Sequence, residues 1–384
     1  MTLKEISILN YKNIAEANLE FSPKINCFTG NNGMGKTNML DAVYYLSFCK
    51  SSVSRGGDAV VINHDAEMML LQGCYERRGE QEKISIGLQR GKRKVAKRNG
   101  KEYQLLSRHI GLLPLVMVSP MDTELIRGSG DERRRLMNQI ISQGDRNYLD
   151  ALIRYSKALE SRNAMLKRGI RDTILFESVE EQLCVAAAYI HGVRARWIEQ
   201  FTPIFLDYYR AITNGQESVS LEYRSHLNEL SMSQNLGAAR DVDAAVGFTT
   251  RGVHRDDIEL MLGDYPMRKI GSQGQCKTYT IALRLAQFDF LTQMCSITPL
   301  LLLDDIFDKL DANRVRNIID VVSGNTGAQF GQIFITDTNR THLDDIIRSV
   351  GSDYRIFHVA GGVCSCEEQG NGLSRGVGGA NVLP

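Results

Sequence analysis

Gly30-Asn31-Asn32-Gly33-Met34-Gly35-Lys36-Thr37 decides how this chain folds, because its spacing, GxxxxGK[ST], is that of a phosphate-binding loop. Glycines let backbone N–H groups turn inward around phosphates, and the helix N-terminus that follows adds partial positive charge. In that scheme Lys36 reaches the β- and γ-phosphates, and the Thr37 hydroxyl is a Mg²⁺ ligand. The flanks agree. Ile25 to Thr29 is a short apolar run, and Lys36 to Cys49 reads as a helix with Met39, Leu40, Val43 and Leu46 on one face. A glycine turn of chance spacing would need neither flank.

Two further stretches belong to the same chemistry. Leu300-Leu301-Leu302-Leu303-Asp304-Asp305 is a buried strand ending in two carboxylates. Asp304, at the strand's carboxyl end, is where a P-loop enzyme holds its metal, and Asp305 would face the γ-phosphate and orient the attacking water. Ser272-Gln273-Gly274-Gln275 opens an amphipathic helix containing Tyr279, Ile281, Leu283 and Leu285. A serine, a glycine and a free helix N-terminus make a second anion site. Two readings stay open: an ordinary N-cap, or the completion of a nucleotide site on another protomer.

Outward from these motifs the chain reads as α/β, helical insertion, α/β. Leu3, Ile6 and Ile8, then Met68–Tyr75, Lys83–Gln89 and Leu115–Val118, are strand-like. From residue 120 to 246 the period turns helical: Phe176, Val179, Leu183, Ala186, Ile190, Val193 and Trp197 hold successive heptad-core positions. Around Pro203 the register slips, continuing through Phe201, Ile204 and Tyr208. Two helices joined near Gly169–Asp172 would close as an antiparallel arm, or pack as core helices of a larger bundle; periodicity favours neither. Strand signals return at Ile258–Leu262, Leu300–Leu303, Gln332–Thr336 and Tyr354–His358, alternating with helices as in a parallel sheet. The expected divisions are 1–119, 120–246 and 247–369, with a loose Gly-rich tail over 370–384.

Composition excludes several classes. In 384 residues, 43% are hydrophobic and 24% charged, which rules out a disordered chain or a disulfide scaffold. The eight cysteines are scattered without a CxxC pair, so they read as structural rather than metal-binding. No stretch reaches 18 apolar residues and MTLKEISILN is not a signal peptide, so the protein is expected in the cytoplasm. The balance of 46 basic against 45 acidic side chains argues for no partner until it is resolved by position. Residues 90–101 carry seven basic and no acidic side chains, residues 131–171 ten against five, and residues 304–345 four against eight.

The GNNGMGKTN loop, the SQGQ helix start, the LLLDD strand and Leu310-Asp311 together resemble the ATPase head shared by ABC transporters and SMC proteins. More narrowly, LNYKNI, RRRLMNQ, YSKALESRNAMLK, GVHRDDIEL, SQGQCKTY and LLLDDIFDKLD follow in the order of the RecF family of bacterial recombination mediators. The likeness covers residues 1–365. It implies an ABC-type P-loop head with an inserted α-helical arm, and ATP sandwiched between two heads of a homodimer. Gly30 to Asn38 of one head would face Ser272, Gly274 and Gln275 of the other. It further implies Mg²⁺ at Thr37 and Asp304, and weak, DNA-stimulated ATP hydrolysis acting as a switch, with Asp305 as the catalytic carboxylate. Gapped or junction DNA, RecR and RecO as partners, and RecA loading in repair, replication recovery and the SOS response complete what the family implies. Val253, Asn138, Gly130 and Lys309 depart from the family pattern without touching phosphate or metal chemistry. Thr336–Thr338 stands where transporters place a histidine, so the γ-phosphate sensor is unassigned.

For DNA the candidates are Lys92, Arg93, Lys94, Lys97 and Arg98 in the basic run, read as a β-hairpin, and Arg133 and Arg134 beginning a helix, with Arg154, Lys157 and Arg162 along the arm. A solvated charged surface is the competing reading. His254-Arg255-Asp256-Asp257 is either an ion-paired corner or a transmitter of nucleotide state. Two rival functions remain at this point: a membrane transporter's ATPase subunit, or a chromosome-structuring SMC head. The first would want a switch histidine and a short insertion, the second a far longer arm.

Overall fold

The computed structural model describes residues 1–370 apart from 55, 171, 309, 325–328 and 351–352. Two compact units emerge: residues 1–121 together with the chain from 296 onward, and residues 122–295.

The first unit begins with β1 (Thr2–Tyr11), β2 (Ile14–Glu20) and β3 (Ile25–Thr29), followed by α1 (Lys36–Phe48). Next come β4 (Met68–Arg77), β5 (Glu80–Gln89), β6 (Val95–Arg98), β7 (Lys101–Glu102) and β8 (Leu115–Val118). In β5, Glu82, Ile84, Ile86 and Leu88 are buried at every second position, the alternation of a half-buried strand. By contrast β3, at the centre of its sheet, and β8, at its edge, are almost wholly buried, as strands covered on both faces must be.

The second unit holds α2 (Gly130–Gly144), α3 (Arg146–Lys167) and α4 (Thr173–Thr213). After them come β9 (Val219–Arg224), α5 (Met232–Val246), β10 (Asp257–Leu262), β11 (Tyr265–Pro266) and α6 (Gln273–Cys295). Helices α3 and α4 run antiparallel, as the bonds from Arg162 to Glu180 and from Arg194 to Tyr148 require. The arm expectation is thus met by a hairpin that also shares a core. Trp197 and Phe201 line the same apolar interior as Leu221, Ile258, Leu260 and Leu283. α4 continues as one helix through Pro203, and its buried face runs Trp197, Phe201, Phe205 and Tyr208. Phe205, not Ile204, therefore occupies the seam.

The first unit resumes with β12 (Leu300–Asp304), α7 (Ala312–Val322), β13 (Ile333–Thr336), α8 (Arg340–Val350), β14 (Tyr354–Ala360) and β15 (Val363–Gly370). Its two sheets have the orders β2-β1-β4-β5-β6-β7 and β15-β14-β3-β13-β12-β8. The second sheet is parallel from β14 to β8, with β15 antiparallel at its edge.

Two expectations change. Ile258–Leu262 does not join the parallel sheet; β10 lies antiparallel between β9 and β11. The second division accordingly falls after Cys295 instead of at residue 246, because β10 and α6 share their core with the helices. Of the expected tail, Gly370 closes β15, and residues 371–384 lie outside the described residues, as does Lys309. No described helix is long and apolar enough to cross a membrane.

Candidate nucleotide site

The phosphate loop leaves the carboxyl end of β3, between β14 and β13, and enters α1 at Lys36. Gly30 has φ 137°, and a side chain there would drive its Cβ to 2.3 Å from the Val359 carbonyl oxygen, so only glycine fits. The α1 N-terminus carries no side-chain cap, which leaves its first-turn amides to an anion. Lys36 Nζ donates to the carbonyl oxygens of Gly30 (2.6 Å) and Asn31 (3.0 Å), holding its charge inside the loop. Burial draws Lys36 below the usual lysine range, while the fields of Asp305, Asp304 and Asp337 oppose that shift.

The carboxylates arrive from β12, one strand further along the same sheet edge. Thr37 Oγ1 donates to Asp304 Oδ1 at 3.0 Å, and Thr336 Oγ1, at the end of β13, donates to the same oxygen at 2.6 Å. Asp304 is 4% exposed, and its burial pushes its carboxyl above the ordinary aspartate range against both hydroxyls. The neighbouring Asp305 has φ 48°, and its N–H reaches the Thr336 carbonyl at 3.2 Å and Thr336 Oγ1 at 3.2 Å. Two hard oxygen donors side by side at a phosphate loop suit Mg²⁺, which takes few protein ligands and keeps phosphate and water. No larger His, Cys, Asp or Glu cluster competes for a metal among the described residues. Cys27, Cys49 and Cys276 are buried free thiols, in keeping with their structural reading.

Two residues of the site escaped the sequence motifs. Thr336 ends a strand signal at a place without histidine, yet it bonds Asp304 and receives the Asp305 N–H. Asn13, in the β1–β2 turn, donates from Nδ2 to the Met34 carbonyl (3.3 Å) and accepts from Asn38 Nδ2 (2.7 Å). From the other side the Gly362 N–H bonds the Met34 carbonyl at 3.0 Å. The loop is therefore clasped at Met34 between the turn after the first strand and the turn before the last.

Ser272, Gly274 and Gln275 belong to the second unit. Ser272 Oγ accepts from the Gln275 N–H (3.2 Å) while the Gln275 side chain accepts from the Ser272 N–H (2.9 Å), a reciprocal cap. Gln275 also reaches Glu217 at 3.3 Å. The N-cap reading is therefore realised, with Ser272 exposed at the helix start.

A family model described as RecF/RecN/SMC N terminal domain matches residues 2–363. The DNA replication and repair protein RecF of Parabacteroides distasonis is 53% identical over 362 residues, covering 94% of this chain and 98% of that protein. The chain belongs to the RecF family. A second RecF relative, from Bacteroides thetaiotaomicron, is also 53% identical, over 365 residues, with 94% and 98% covered. Among solved structures, the recombination mediator protein RecF-ATP of the RecFOR pathway superimposes with a TM-score of 0.84 at 28% identity, covering 96% of this chain and 98% of that one. An Smc head domain from Pyrococcus furiosus shares the fold alone, at 16% identity and a TM-score of 0.58 with 96% of each chain covered. The ABC-type ATPase head and the RecF reading stand, and the transporter and chromosome-head alternatives are not favoured.

This RecF-family chain spends several of the expected DNA-facing cations on its own fold. Lys94 is buried, bonded to the Cys49 carbonyl at the end of α1 and to Asp58 at 2.8 Å; a cation at a helix C-terminus is stabilising there. Arg98 is clamped to Glu82. Arg133 is buried, makes two bonds to Asp257 (2.7 and 2.9 Å) and caps the Leu125 carbonyl. Arg134 pairs with Asp131 and bonds the Asp256 carbonyl at 2.6 Å. Arg162 is buried with Glu180 (2.9 Å) and Asp243 (2.7 Å). These five are engaged in ion pairs within the fold. Lys92, Arg93 and Lys97 are exposed beside β6, and Arg154 and Lys157 on α3.

The His254–Asp257 stretch is an ion-paired corner. Asp256 takes Arg194 and Tyr223, each at 2.5 Å, and His254 is bonded by Tyr155 at 2.7 Å. Asn138, a departure from the family pattern, accepts from both Tyr148 (2.7 Å) and Arg194 (2.9 Å) through one oxygen.

Proposed function

We propose that this chain is an ATP-gated DNA-binding protein of recombinational repair and replication-fork recovery. It binds ATP and dimerises, engages gapped or single/double-strand junction DNA, and with RecR and RecO helps to load RecA in the cytoplasm. Slow, DNA-stimulated hydrolysis then releases it. The observation that carries this reading is the meeting of Thr37, Asp304 and Thr336 at the phosphate loop of a RecF-family head.

The chain's own residues divide the work. Loop amides and Lys36 hold the β- and γ-phosphates, and Thr37 Oγ1 with Asp304 Oδ1 would hold Mg²⁺. Once bound, that ion neutralises charge developing on the transferred phosphoryl group. Asp305, fixed by its N–H to Thr336, orients the attacking water; being shorter than glutamate, it is placed for slow turnover. Exposed Ser272, with Gly274 and Gln275, supplies amides to the partner protomer's ATP. Lys92, Arg93, Lys97, Arg154 and Lys157 supply the DNA phosphate contacts.

Sedimentation with ATP, with and without gapped DNA, tests this for wild type, Lys36→Met and Ser272→Arg. The expected result is an ATP-dependent dimer in wild type only, with Ser272→Arg still binding ATP as a monomer. Dimers independent of ATP in all three would sink the shared-site reading.

A further inference from the structure

Resting on that reading, we infer that His342 is a positioning residue for ATP hydrolysis, the link that sets the Asp305 turn against the loop after β13. The three loops of the site leave adjacent parallel strands in the order β3, β13, β12. Thr336 joins the last two through Asp304 and the Asp305 N–H, but it is the final residue of β13 and holds only the base of each turn. One residue further on, Asp337 is 4% exposed, and its charge acts on Lys36.

Asp337 divides its carboxylate between two partners. Oδ1 accepts the Asn339 N–H at 2.8 Å, and Oδ2 accepts from His342 Nδ1 at 2.9 Å. The other ring nitrogen, Nε2, lies 3.4 Å from Asn339 Nδ2. In this arrangement Nδ1 faces the carboxylate as donor and Nε2 faces the Asn339 amide group. Both ring nitrogens are thus committed to the 337–339 loop. The face of the same ring packs on Phe307, two residues beyond Asp305, with centroids 5.1 Å apart and planes inclined by 59°. Phe307 is itself buried. One imidazole in the first turn of α8 therefore bonds the β13 loop and packs on the β12 turn. It acts through Asp337 and through the Phe307 turn that carries Asp305.

The role predicts a defect in cleavage rather than in binding. Asparagine can place a donor where Nδ1 stands, whereas alanine cannot. The test measures ATP affinity with a fluorescent ATP analogue and ATP cleavage in single turnovers with DNA, for wild type, His342→Ala, His342→Asn and Lys36→Ala. We expect His342→Ala to slow cleavage about tenfold or more while affinity changes by less than about twofold, and His342→Asn to regain most of the rate. Wild-type cleavage by His342→Ala beside an inactive Lys36→Ala overturns the inference alone. Parallel loss of affinity and cleavage, with asparagine no better than alanine, also overturns it by showing a merely structural residue. Failure of the wild type to bind ATP overturns the nucleotide reading itself, and this inference with it.

Discussion

Thr336 Oγ1 donates a hydrogen bond to Asp304 Oδ1 at 2.6 Å, the oxygen to which Thr37 Oγ1 donates at 3.0 Å. Even so, burial dominates and holds the folded carboxyl above its unfolded value. The folded state then binds that proton more tightly than the unfolded state. Stability falls as pH rises through the interval between the two values, and the penalty vanishes below the unfolded one. Asp304→Asn keeps the acceptor and removes the charge. Melting of the nucleotide-free protein at pH 7.5 should show the variant more stable than wild type, with hydrolysis reduced about a hundredfold or more. A variant that melts lower at that pH would contradict the burial argument.

His254 titrates in the opposite direction. Burial, opposed by its contact with the Thr249 carbonyl, lowers it from 6.5 to about 4, with Arg255 and Arg134 adding to the shift. Between those values the unfolded chain takes up a proton that the folded chain refuses, so stability falls as pH drops. The slope approaches about 1.4 kcal/mol per pH unit. Urea unfolding at pH 7 and pH 5 should show this loss in wild type and a smaller one in His254→Gln; equal losses would assign the acid sensitivity elsewhere.

Arg133 and Lys97 separate fold from surface. Arg133→Ala strands Asp257 and the Leu125 carbonyl and should cost about 3 kcal/mol, leaving the salt dependence of DNA binding unchanged. Lys97→Ala should leave stability alone and lower the slope of log affinity against log salt by about 1. Titration of gapped DNA at several salt concentrations reads both, and an unchanged slope removes Lys97 from the interface.

Gly362 should not tolerate a methyl group. Its φ is +81°, and an added Cβ would stand 2.1 Å from the Asn13 carbonyl. Gly362→Ala must push the two turns apart at Met34, so ATP affinity should fall about tenfold, equivalent to about 1.4 kcal/mol. Unaltered affinity would show that the clasp does not shape the loop.

The phosphate loop and the Asp304–Asp305 pair could be read directly, because each packs its chemistry into a few consecutive residues beside an apolar strand. Thr336 could not: it lies 32 positions from Asp304 and meets it only when β12 and β13 pair. The same limit misplaced Ile258–Leu262, whose alternation is that of any strand and does not name its sheet. The internal partners of the basic clusters were hidden for another reason. Sequence shows that Lys94 and Arg133 are positive but not that the Cys49 carbonyl and Asp257 wait for them, and a buried ion pair reads like a binding surface until its partner is seen.

The clasp at Met34 and the position of β3 bear on how the chain is made. Ile25 pairs with Ile333 on one side and Tyr354 on the other, so the neighbours of the phosphate-binding strand leave the ribosome about 300 residues after it. The helical residues between them rely more on short-range contacts and can settle first, while the sheet pays its loop-closure cost only at the end. A chain halted before Ile333 would own the complete GNNGMGKT motif and the Asn13 half of its clasp, but neither flanking strand of β3 nor the Gly362 half. In this protein an early-made signature is completed only when strands made much later arrive.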